Sequence, residues 1–244
     1  MEAVKQISVS HVSQPPVDLI VPAKVETATF ALGWFWGPDA QFGSIDGVVR
    51  TRVGYSGGTT KDPTYYNLAD HTETIQIDYD PAKISYGQLL DIFWQSHKPG
   101  RSPWSNQYKA AVFYHNEAQK RLALESREQV AATLEDKVHT EVIPFTAFYL
   151  AEDYHQKYRL QQQRDFLQEF KTIYPKMEDL VNSTAAARVN GYLDGYGNLD
   201  EIEAQVGNLG LSPEGTNKLV DIVKRSKTRW GLWWAAGWVR QIEG

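Results

Sequence analysis

The chain of 244 residues carries a formal net charge of −5, is 42% hydrophobic and contains no cysteine. The lack of cysteine excludes disulfide bonds, thiolate metal sites and every mechanism in which a protein thiol acts as the nucleophile. The mildly acidic balance argues against nucleic-acid binding, and because no apolar run approaches a membrane span and no secretory signal opens the chain, we expect a cytoplasmic protein.

Residues 1–24 combine polar residues with three prolines, which favour extended backbone. We expect them to form an arm that lies on the body of the protein. From residue 25 onward, short β-rich runs alternate with helical segments. The runs predicted to be strands are residues 28–32, 48–55, 72–79, 110–114 and 139–143. Strands that alternate with helices predict an α/β or α+β fold.

The first predicted strand leads into a tight turn and the start of a helix. Gly33 supplies backbone freedom at the turn, and Pro38 fits the first turn of a helix, where its missing N–H is not needed. Asp39 places a carboxylate in the same turn, where the helix dipole favours negative charge. A side chain at position 34 would then lie at a helix N-terminus, which suits a nucleophile. Trp34 occupies that position.

Several helices have recognisable boundaries in the sequence. Ser85 and Gln88 have capping-box spacing, and Asn116 can cap a helix that continues to about residue 134. After residue 158 the sequence is helical almost throughout. The helices predicted there are residues 159–170, residues 183–190 with Gly191 closing them, and a helix that begins at Ser212-Pro213.

The segment Gly33-Trp-Phe-Trp-Gly37 resembles the Gly-Cys-Phe-Trp-Gly signature of the peptide methionine sulfoxide reductase A family. The resemblance continues in order through residues 47–60, 63–65, 71–73, 79–81, 85–86, 93–94, 107–108 and 151–155. It implies a mixed sheet flanked by helices over residues 25–171. Residues 172–244 then form a small all-helical C-terminal appendage, which resembles an extension found in one branch of the family.

In the family, a cysteine thiolate attacks the sulfoxide sulfur, an acid protonates the departing oxygen, and two tyrosines assist. A Phe-Trp pair holds the methyl group. Matching residue by residue, the resemblance implies that Glu73 is the acid, that Tyr65 and Tyr108 are the phenols, and that Phe35 and Trp36 form the aromatic wall.

Two positions depart from the family pattern. Trp34 replaces the cysteine, and we expect its bulk to fill space that a substrate sulfur would use. Pro103, with Trp104 beside it, replaces an acidic residue. Both changes exchange polarity for apolar surface, so the altered pocket favours apolar ligands. Asp39 and His71, which lie in matched segments, complete the predicted substrate-binding residues, with His71 expected to orient backbone.

A glutamate buried among aromatic rings has a raised pKa, because desolvation penalises its charged form. We therefore expect Glu73 to be protonated near neutral pH and able to donate, with Tyr65 and Tyr108 as its hydrogen-bond partners. No cluster of residues has the spacing of metal ligands, and we expect no metal or cofactor.

Three functions fit these residues. The first is a repurposed enzyme in which Glu73 protonates an apolar, isoprenoid-like ligand and Trp34, Phe35, Trp36 and Trp104 stabilise the cation during cyclisation or isomerisation. The second is a pseudoenzyme that binds methionine sulfoxide or a partner protein without turnover. The third is a variant of a working reductase whose cysteine was replaced. We rank them in that order, and the oligomeric state is left open.

Four tryptophans near the C-terminus would form an apolar stripe on a helix, and such a stripe needs an apolar surface to pack against. Its four indoles would share one helix face, since they recur at helical spacing: Trp230, Trp233, Trp234 and Trp238. The stripe could cover the domain itself, a second subunit or a membrane surface, with Lys224, Arg225, Lys227 and Arg229 as a basic flank. We favour docking on the domain itself.

Overall fold

The computed structural model describes residues 13–235, with side chains as far as residue 225. It contains six strands and nine α-helices within that range. The strands are β1 (Glu26–Leu32), β2 (Val48–Ser56), β3 (Thr72–Tyr79), β4 (Ala110–Tyr114), β5 (Glu141–Pro144) and β6 (Phe148–Leu150). The helices are α1 (Trp36–Gly43), α2 (Tyr86–Gln95), α3 (Glu117–Thr133), α4 (Tyr158–Gln161), α5 (Arg164–Ile173), α6 (Met177–Val181), α7 (Thr184–Leu193), α8 (Leu199–Gln205) and α9 (Pro213–Ala235).

The strands form one mixed sheet in the order β5-β4-β1-β3-β2-β6. The β4–β5 pair is parallel, whereas the other pairs are antiparallel. The central strands β1 and β3 are buried along most of their length, although β3 alternates Ile75, Ile77 and Tyr79 with the polar Gln76 and Asp78. The predicted mixed sheet flanked by helices is confirmed.

Local capping signals place the two helices that cover the first core. Ser85 and Gln88 form the predicted capping box at the start of α2, and the Asn116 side chain accepts from the Gln119 N–H at the start of α3. The main core lies between these helices and the sheet, and Phe30, Phe93 and other fully buried side chains fill it. Both predicted caps are confirmed.

A second apolar cluster holds the helical part of the chain together. It begins at Leu160 and runs through α5 to α9, with Phe166, Phe170 and Tyr192 among its buried side chains. The helix predicted over residues 159–170 is two helices, α4 and α5, and the short strand β6 was not predicted from the sequence.

The prediction that Gly191 ends its helix is wrong, because α7 continues to Leu193. Gly191 instead allows α7 to approach α1: a Cβ at this position would lie 2.4 Å from the Ala40 carbonyl oxygen. Gly43 of α1 faces α7 in the same way, since its Cβ would lie 2.7 Å from the Ala187 oxygen. The two glycines therefore bring the helical part against the helix that follows the Gly33 turn.

The described portion of the N-terminal arm is attached to the helical part. Asp18 accepts hydrogen bonds from the Tyr174 hydroxyl, the Ser183 hydroxyl and the Ala185 N–H at 2.6–3.1 Å. Asp18 therefore holds its part of the arm against the helical part.

The predicted tryptophan stripe lies outside the described residues. Trp238 follows the last described residue, and the side chains of Trp230, Trp233 and Trp234 lie beyond the described side chains. Within residues 13–235, no helix is both long enough and apolar enough to cross a bilayer.

Candidate functional site

A small cavity lies where β1 turns into α1. Gly33 makes the turn with φ of +95°, a conformation that favours glycine, and Pro38 lies in the first turn of α1 as predicted. The cavity has a volume of about 70 Å³. Its lining residues are Trp34, Phe35, Trp36, Tyr65, Glu73 and Tyr108. All six were singled out from the sequence, although they are spread over 75 positions of the chain.

Glu73 projects from β3 into this cavity and is 3% exposed. Its Oε2 accepts a hydrogen bond from the Phe35 N–H at 3.1 Å, and its Oε1 accepts one from Gln107 Nε2 at 2.9 Å. Burial raises the pKa of Glu73 above its ordinary value of 4.5, and the two hydrogen bonds offset part of that increase. No cation pairs with this carboxyl in the described part of the chain.

These partners differ from the predicted ones, which were the hydroxyls of Tyr65 and Tyr108. A backbone N–H and a side-chain amide occupy the two carboxyl oxygens instead, because the turn at Phe35 and the segment at Gln107 both lie directly against β3. Gln107 was overlooked as a site residue, although it precedes Tyr108 in a matched motif.

The two phenols line the cavity on the side of Glu73. Burial raises the pKa of Tyr108, and the Glu73 charge would raise it further. The Tyr65 ring packs against His155 with centroids 4.7 Å apart, and its backbone N–H donates to Glu152 Oε1 at 3.0 Å. Both phenols therefore border the space that a ligand would occupy.

Phe35 and Trp36 form an apolar wall, and His155 and Tyr158 pack against these two rings. Phe35 is 2% exposed and packs edge-on against His155. The Trp36 indole stacks on Tyr158 with centroids 3.9 Å apart and an interplanar angle of 6°. Its Nε1–H donates to Nδ1 of His155 at 3.2 Å. These contacts fix the orientation of the wall before any ligand enters.

His155 contacts both rings of this wall, although the sequence placed it only at the end of the matched segment 151–155. Because Nδ1 accepts the indole proton, the neutral ring has its own proton on Nε2. That nitrogen is buried without a hydrogen-bond partner in the described residues, and Glu152 Oε2 lies 4.0 Å away. Burial lowers the pKa of His155, with the Glu152 charge acting in the opposite direction. The neutral ring is the form that supports Trp36.

The two unusual tryptophans lie at the rim, contrary to expectation. Trp34 is 63% exposed, and its ring centroid is 6.1 Å from Tyr108 and 6.3 Å from Trp36. Its indole borders the cavity but does not fill it. Trp104 is 73% exposed, stacks on Tyr108 with centroids 4.7 Å apart, and does not line the cavity. It therefore cannot contribute to an enclosing aromatic wall.

Asp39 and His71 do not line the cavity either. Asp39 is fully buried in an ion pair with Lys157, whose Nζ lies 3.0 Å from Oδ1, and it also accepts from Thr51 Oγ1 at 2.6 Å. His71 is buried with Nε2 bonded to the Thr60 carbonyl at 2.7 Å. Both side chains were predicted to bind substrate, and at these positions their contacts are with other parts of the protein.

Among the side chains of residues 13–225, no group of three or more histidine, aspartate or glutamate residues is arranged to hold a metal ion. The cavity itself offers one carboxyl, two phenols and aromatic surface. Such a lining can donate hydrogen bonds to a compact acceptor and can contact a methyl group. It has no residue able to act as a sulfur or selenium nucleophile.

Comparison with protein families agrees with this geometry. A family model described as peptide methionine sulfoxide reductase matches residues 26–188. The chain belongs to this family. A second model, described as the helical domain of selenoprotein methionine sulfoxide reductase A, matches residues 176–225. The two matches meet within the helical part of this reductase-family chain.

Individual relatives extend the agreement. Peptide methionine sulfoxide reductase of Drosophila melanogaster is 43% identical over 192 residues, which are 77% of this chain and 76% of the relative. MsrA of Methanococcoides burtonii is 44% identical over 145 residues, 55% of this chain and 95% of the relative. The crystal structure of reduced Mxr1 from Saccharomyces cerevisiae aligns with a TM-score of 0.54 at 29% identity, covering 59% of this chain and 88% of Mxr1.

Proposed function

We propose that the cavity binds the side chain of methionine sulfoxide within a polypeptide and that the chain, with Trp34 in place, holds this group without reducing it. The sulfoxide oxygen is a compact, strong acceptor, and the attached methyl group is apolar. The cavity presents donors and an apolar wall within one small volume. This complementarity supports the second of the three functions ranked from the sequence.

The observation that carries the proposal is the environment of Glu73. Its carboxyl is buried, has no cationic partner among the described side chains, and has a raised pKa. In its neutral form it has an O–H to donate, and a sulfoxide oxygen is a suitable acceptor. Tyr65 and Tyr108 add hydroxyl donors on the same side of the cavity.

The methyl group of the ligand would contact the rings of Phe35 and Trp36. Both rings are fixed by contacts with His155, so little side-chain freedom is lost when the ligand enters. The cavity volume of about 70 Å³ suits a methyl sulfoxide group. Pockets that enclose drug-sized ligands are larger, at roughly 300–1,000 Å³.

The same volume argues against the function ranked first from the sequence. Cyclisation of an isoprenoid-like ligand requires a water-excluding cavity that encloses a chain of many carbons. Here two of the four proposed cation-stabilising rings, Trp34 and Trp104, are 63% and 73% exposed. Proton-initiated chemistry on an apolar ligand therefore has less structural support than sulfoxide binding.

Reduction requires a group that attacks the sulfoxide sulfur, and an indole does not supply it. Trp34 occupies the position at which the resemblance places the cysteine, and the chain has no cysteine elsewhere. Without a cysteine, no oxidised thiol forms on the protein for a reductant to reduce. Binding without turnover is the activity that these residues support.

Isothermal titration with N-acetyl-methionine sulfoxide methylamide tests the proposal. We expect saturable binding that favours the S epimer over both the R epimer and the thioether, and mass spectrometry should recover the ligand unchanged. Glu73→Leu should weaken binding by at least about tenfold, whereas Glu117→Gln, on the exposed start of α3, should leave it intact. Equal heats for sulfoxide and thioether would contradict the proposal, as would formation of methionine.

A second candidate function is suggested by the helical match to a selenoprotein reductase. The tryptophan codon UGG and the selenocysteine codon UGA differ in one base, and some genetic codes read UGA as tryptophan. We propose as the alternative that selenocysteine stands at position 34 of the natural protein, which would then be a working reductase. The Trp34 indole is 63% exposed, so the cavity does not enclose it. This exposure favours the selenocysteine alternative over a pocket that has been rebuilt around tryptophan.

The base sequence of codon 34 and the selenium content of the protein from its natural source decide between the two candidates. A UGA codon with one selenium atom per chain would establish the reductase. A UGG codon and a selenium-free protein would exclude it and leave binding without turnover.

A further inference from the structure

A second cavity adjoins the first on the side of the loop between α2 and β4. Its volume is about 330 Å³, and it shares Trp34 and Tyr108 with the sulfoxide cavity. We call it the basic groove, because its lining includes Lys98 and Arg101 together with Trp104. A ligand that occupies the small cavity would therefore continue into this groove if it extends past the Trp34 rim.

The charge of the groove is of one sign. Lys98 and Arg101 are exposed, and neither forms an ion pair within 4 Å in the described part of the chain. No aspartate or glutamate is among the residues that line the groove, and Asp136, which packs beside Gly100, does not line it. The two cations are therefore free to pair with a ligand.

His97 does not add to this charge. Its Nδ1 contacts the Phe93 carbonyl at 2.8 Å and its Nε2 contacts the Thr140 hydroxyl at 2.9 Å. Burial lowers the pKa of His97, so the ring is neutral near pH 7. The positive charge of the groove therefore comes from Lys98 and Arg101.

Exposed aromatic side chains lie against rings that line or support the first cavity. Four aromatics among the described side chains are prominently exposed: Trp34, Trp104, Tyr66 and Tyr154. Each contacts a ring of the site, since Trp34 and Trp104 lie against Tyr108 while Tyr66 and Tyr154 lie against Tyr65 and His155. Aromatic surface of this kind, next to free cations, is typical of surfaces that bind other chains.

We propose that the basic groove binds acidic residues that neighbour the methionine sulfoxide in the same polypeptide, so that the chain selects sulfoxides in acidic sequence contexts. This inference rests on the proposed sulfoxide binding. The guanidinium of Arg101 and the ammonium of Lys98 pair with carboxylates, and Trp104 supplies apolar surface for the peptide backbone and side-chain stems. The net charge of −5 means that the attraction is local to this groove.

Nucleic acid is the other polymer that basic and aromatic surfaces attract. Peptide is favoured here because the groove borders, at Trp34 and Tyr108, a cavity whose donors and methyl-sized wall suit a sulfoxide side chain. Two cations are also few for a site that must follow a phosphate backbone.

The test uses three synthetic peptides with one central methionine S-sulfoxide, flanked on both sides by Asp-Asp, Ser-Ser or Lys-Lys, and measures affinity by fluorescence anisotropy. We expect the aspartate peptide to bind about threefold to tenfold more tightly than the serine peptide at low salt, in line with two partly exposed ion pairs. The lysine peptide should bind more weakly than the serine peptide. The preference should shrink as salt is added.

The double variant Lys98→Glu and Arg101→Glu should reverse the order, so that the lysine peptide binds more tightly than the aspartate peptide. The matched control is Lys171→Glu on α5, an exposed lysine that lines neither cavity, and it should leave the order unchanged. The serine peptide should bind equally to all of these proteins, which shows that the variants are folded.

Three outcomes would overturn the proposal in distinguishable ways. Equal affinities for the three peptides would remove the role of the groove while leaving sulfoxide binding in place. Failure of the serine peptide to bind would remove sulfoxide binding itself, and the groove proposal with it. Displacement of the aspartate peptide by a single-stranded oligonucleotide at lower concentration than by free peptide would assign the surface to nucleic acid.

Discussion

Lys157 Nζ lies 3.0 Å from Asp39 Oδ1 with both side chains fully buried, and this ion pair joins α1 to a segment 118 residues further along the chain. Lys157 also donates to the Thr51 carbonyl, and the Asn190 amide of α7 donates to Asp39 Oδ2 at 3.3 Å. The start of α1, which carries the aromatic wall, is thus fixed to β2 and to the helical part at one point.

Removing one partner of this pair should strongly destabilise the fold. Lys157→Met leaves the Asp39 carboxylate buried without its counterion, and we expect a loss of about 3–5 kcal/mol in unfolding free energy. Chemical denaturation followed by circular dichroism measures it. Adding Asp39→Leu should recover part of the loss. Lys83→Met, which breaks an exposed pair with Asp46, should cost less than about 1 kcal/mol. Equal losses for Lys157→Met and Lys83→Met would show that the buried pair is not important.

The close approach of α7 to α1 should make Gly191 intolerant of any side chain. In Gly191→Ala the new methyl carbon would meet the Ala40 carbonyl oxygen at 2.4 Å, and both elements are backbone that cannot rotate away. We expect a loss of about 1–3 kcal/mol from overpacking. Gly207→Ala is the matched control, because nothing lies within 4 Å of its Cβ position. A Gly191→Ala protein as stable as the control would place the two helices further apart.

Sulfoxide affinity should depend on pH through Glu73. The neutral carboxyl donates and the ionised one does not, so affinity is highest below the raised pKa of Glu73 and falls as pH rises through it. Loss of this hydrogen bond should weaken binding about tenfold. Titrations across pH 4–9 measure the profile. In Glu73→Gln the amide N–H₂ can still donate, and its binding should be flat with pH. A sloping profile in that variant would assign the titration to another group.

His155 should control Trp36 through one acceptor nitrogen. His155→Phe removes the acceptor for the Trp36 indole N–H, and losing this part-buried hydrogen bond should cost about 0.5–1.5 kcal/mol of stability. Because the Trp36 ring is then free to shift, sulfoxide binding should weaken as well. His155→Asn places a carbonyl oxygen near the Nδ1 position and should restore part of both losses. Failure of His155→Asn to improve on His155→Phe would mean that ring packing, and not the hydrogen bond, holds Trp36.

Local sequence signals were enough for most of the fold. The capping residues Ser85 and Asn116 define their helices through neighbours three positions away, and the strands follow from short apolar runs. Contacts between distant segments could not be read in this way. Asp39 was interpreted from its place in a helix turn, whereas its environment is set by Lys157, which is 118 positions away.

The lining of the cavity was predicted through the ordered motifs of the resemblance, which already encode a three-dimensional site. What the motifs could not give was side-chain direction. Trp34 was expected to fill the cavity because of its size, yet its rotamer directs the indole to the rim. Gln107 was missed for a related reason, since a neutral amide gives no sign of its importance until its carboxyl partner is located in space.

Replacing Trp34 by cysteine tests whether the site is otherwise complete. In Trp34→Cys the thiolate would attack the sulfoxide sulfur while Glu73 protonates the sulfoxide oxygen. The oxygen would pass to the cysteine as a sulfenic acid and methionine would be released. Added dithiothreitol would then reduce the sulfenic acid to the thiol, with loss of water and formation of oxidised dithiothreitol. We expect stereospecific reduction of the methionine S-sulfoxide, measured as methionine formed. Because the Trp34 indole is 63% exposed, the exchange should change stability little.

Trp104→Cys is the control for this experiment, since it adds a thiol at an exposed tryptophan outside the cavity and should give no turnover. Adding Glu73→Gln to the active variant should lower its rate by about 10²- to 10⁴-fold, as loss of a general acid does. A folded Trp34→Cys protein that binds the sulfoxide but forms no methionine would show that more than the nucleophile separates this cavity from a working reductase site.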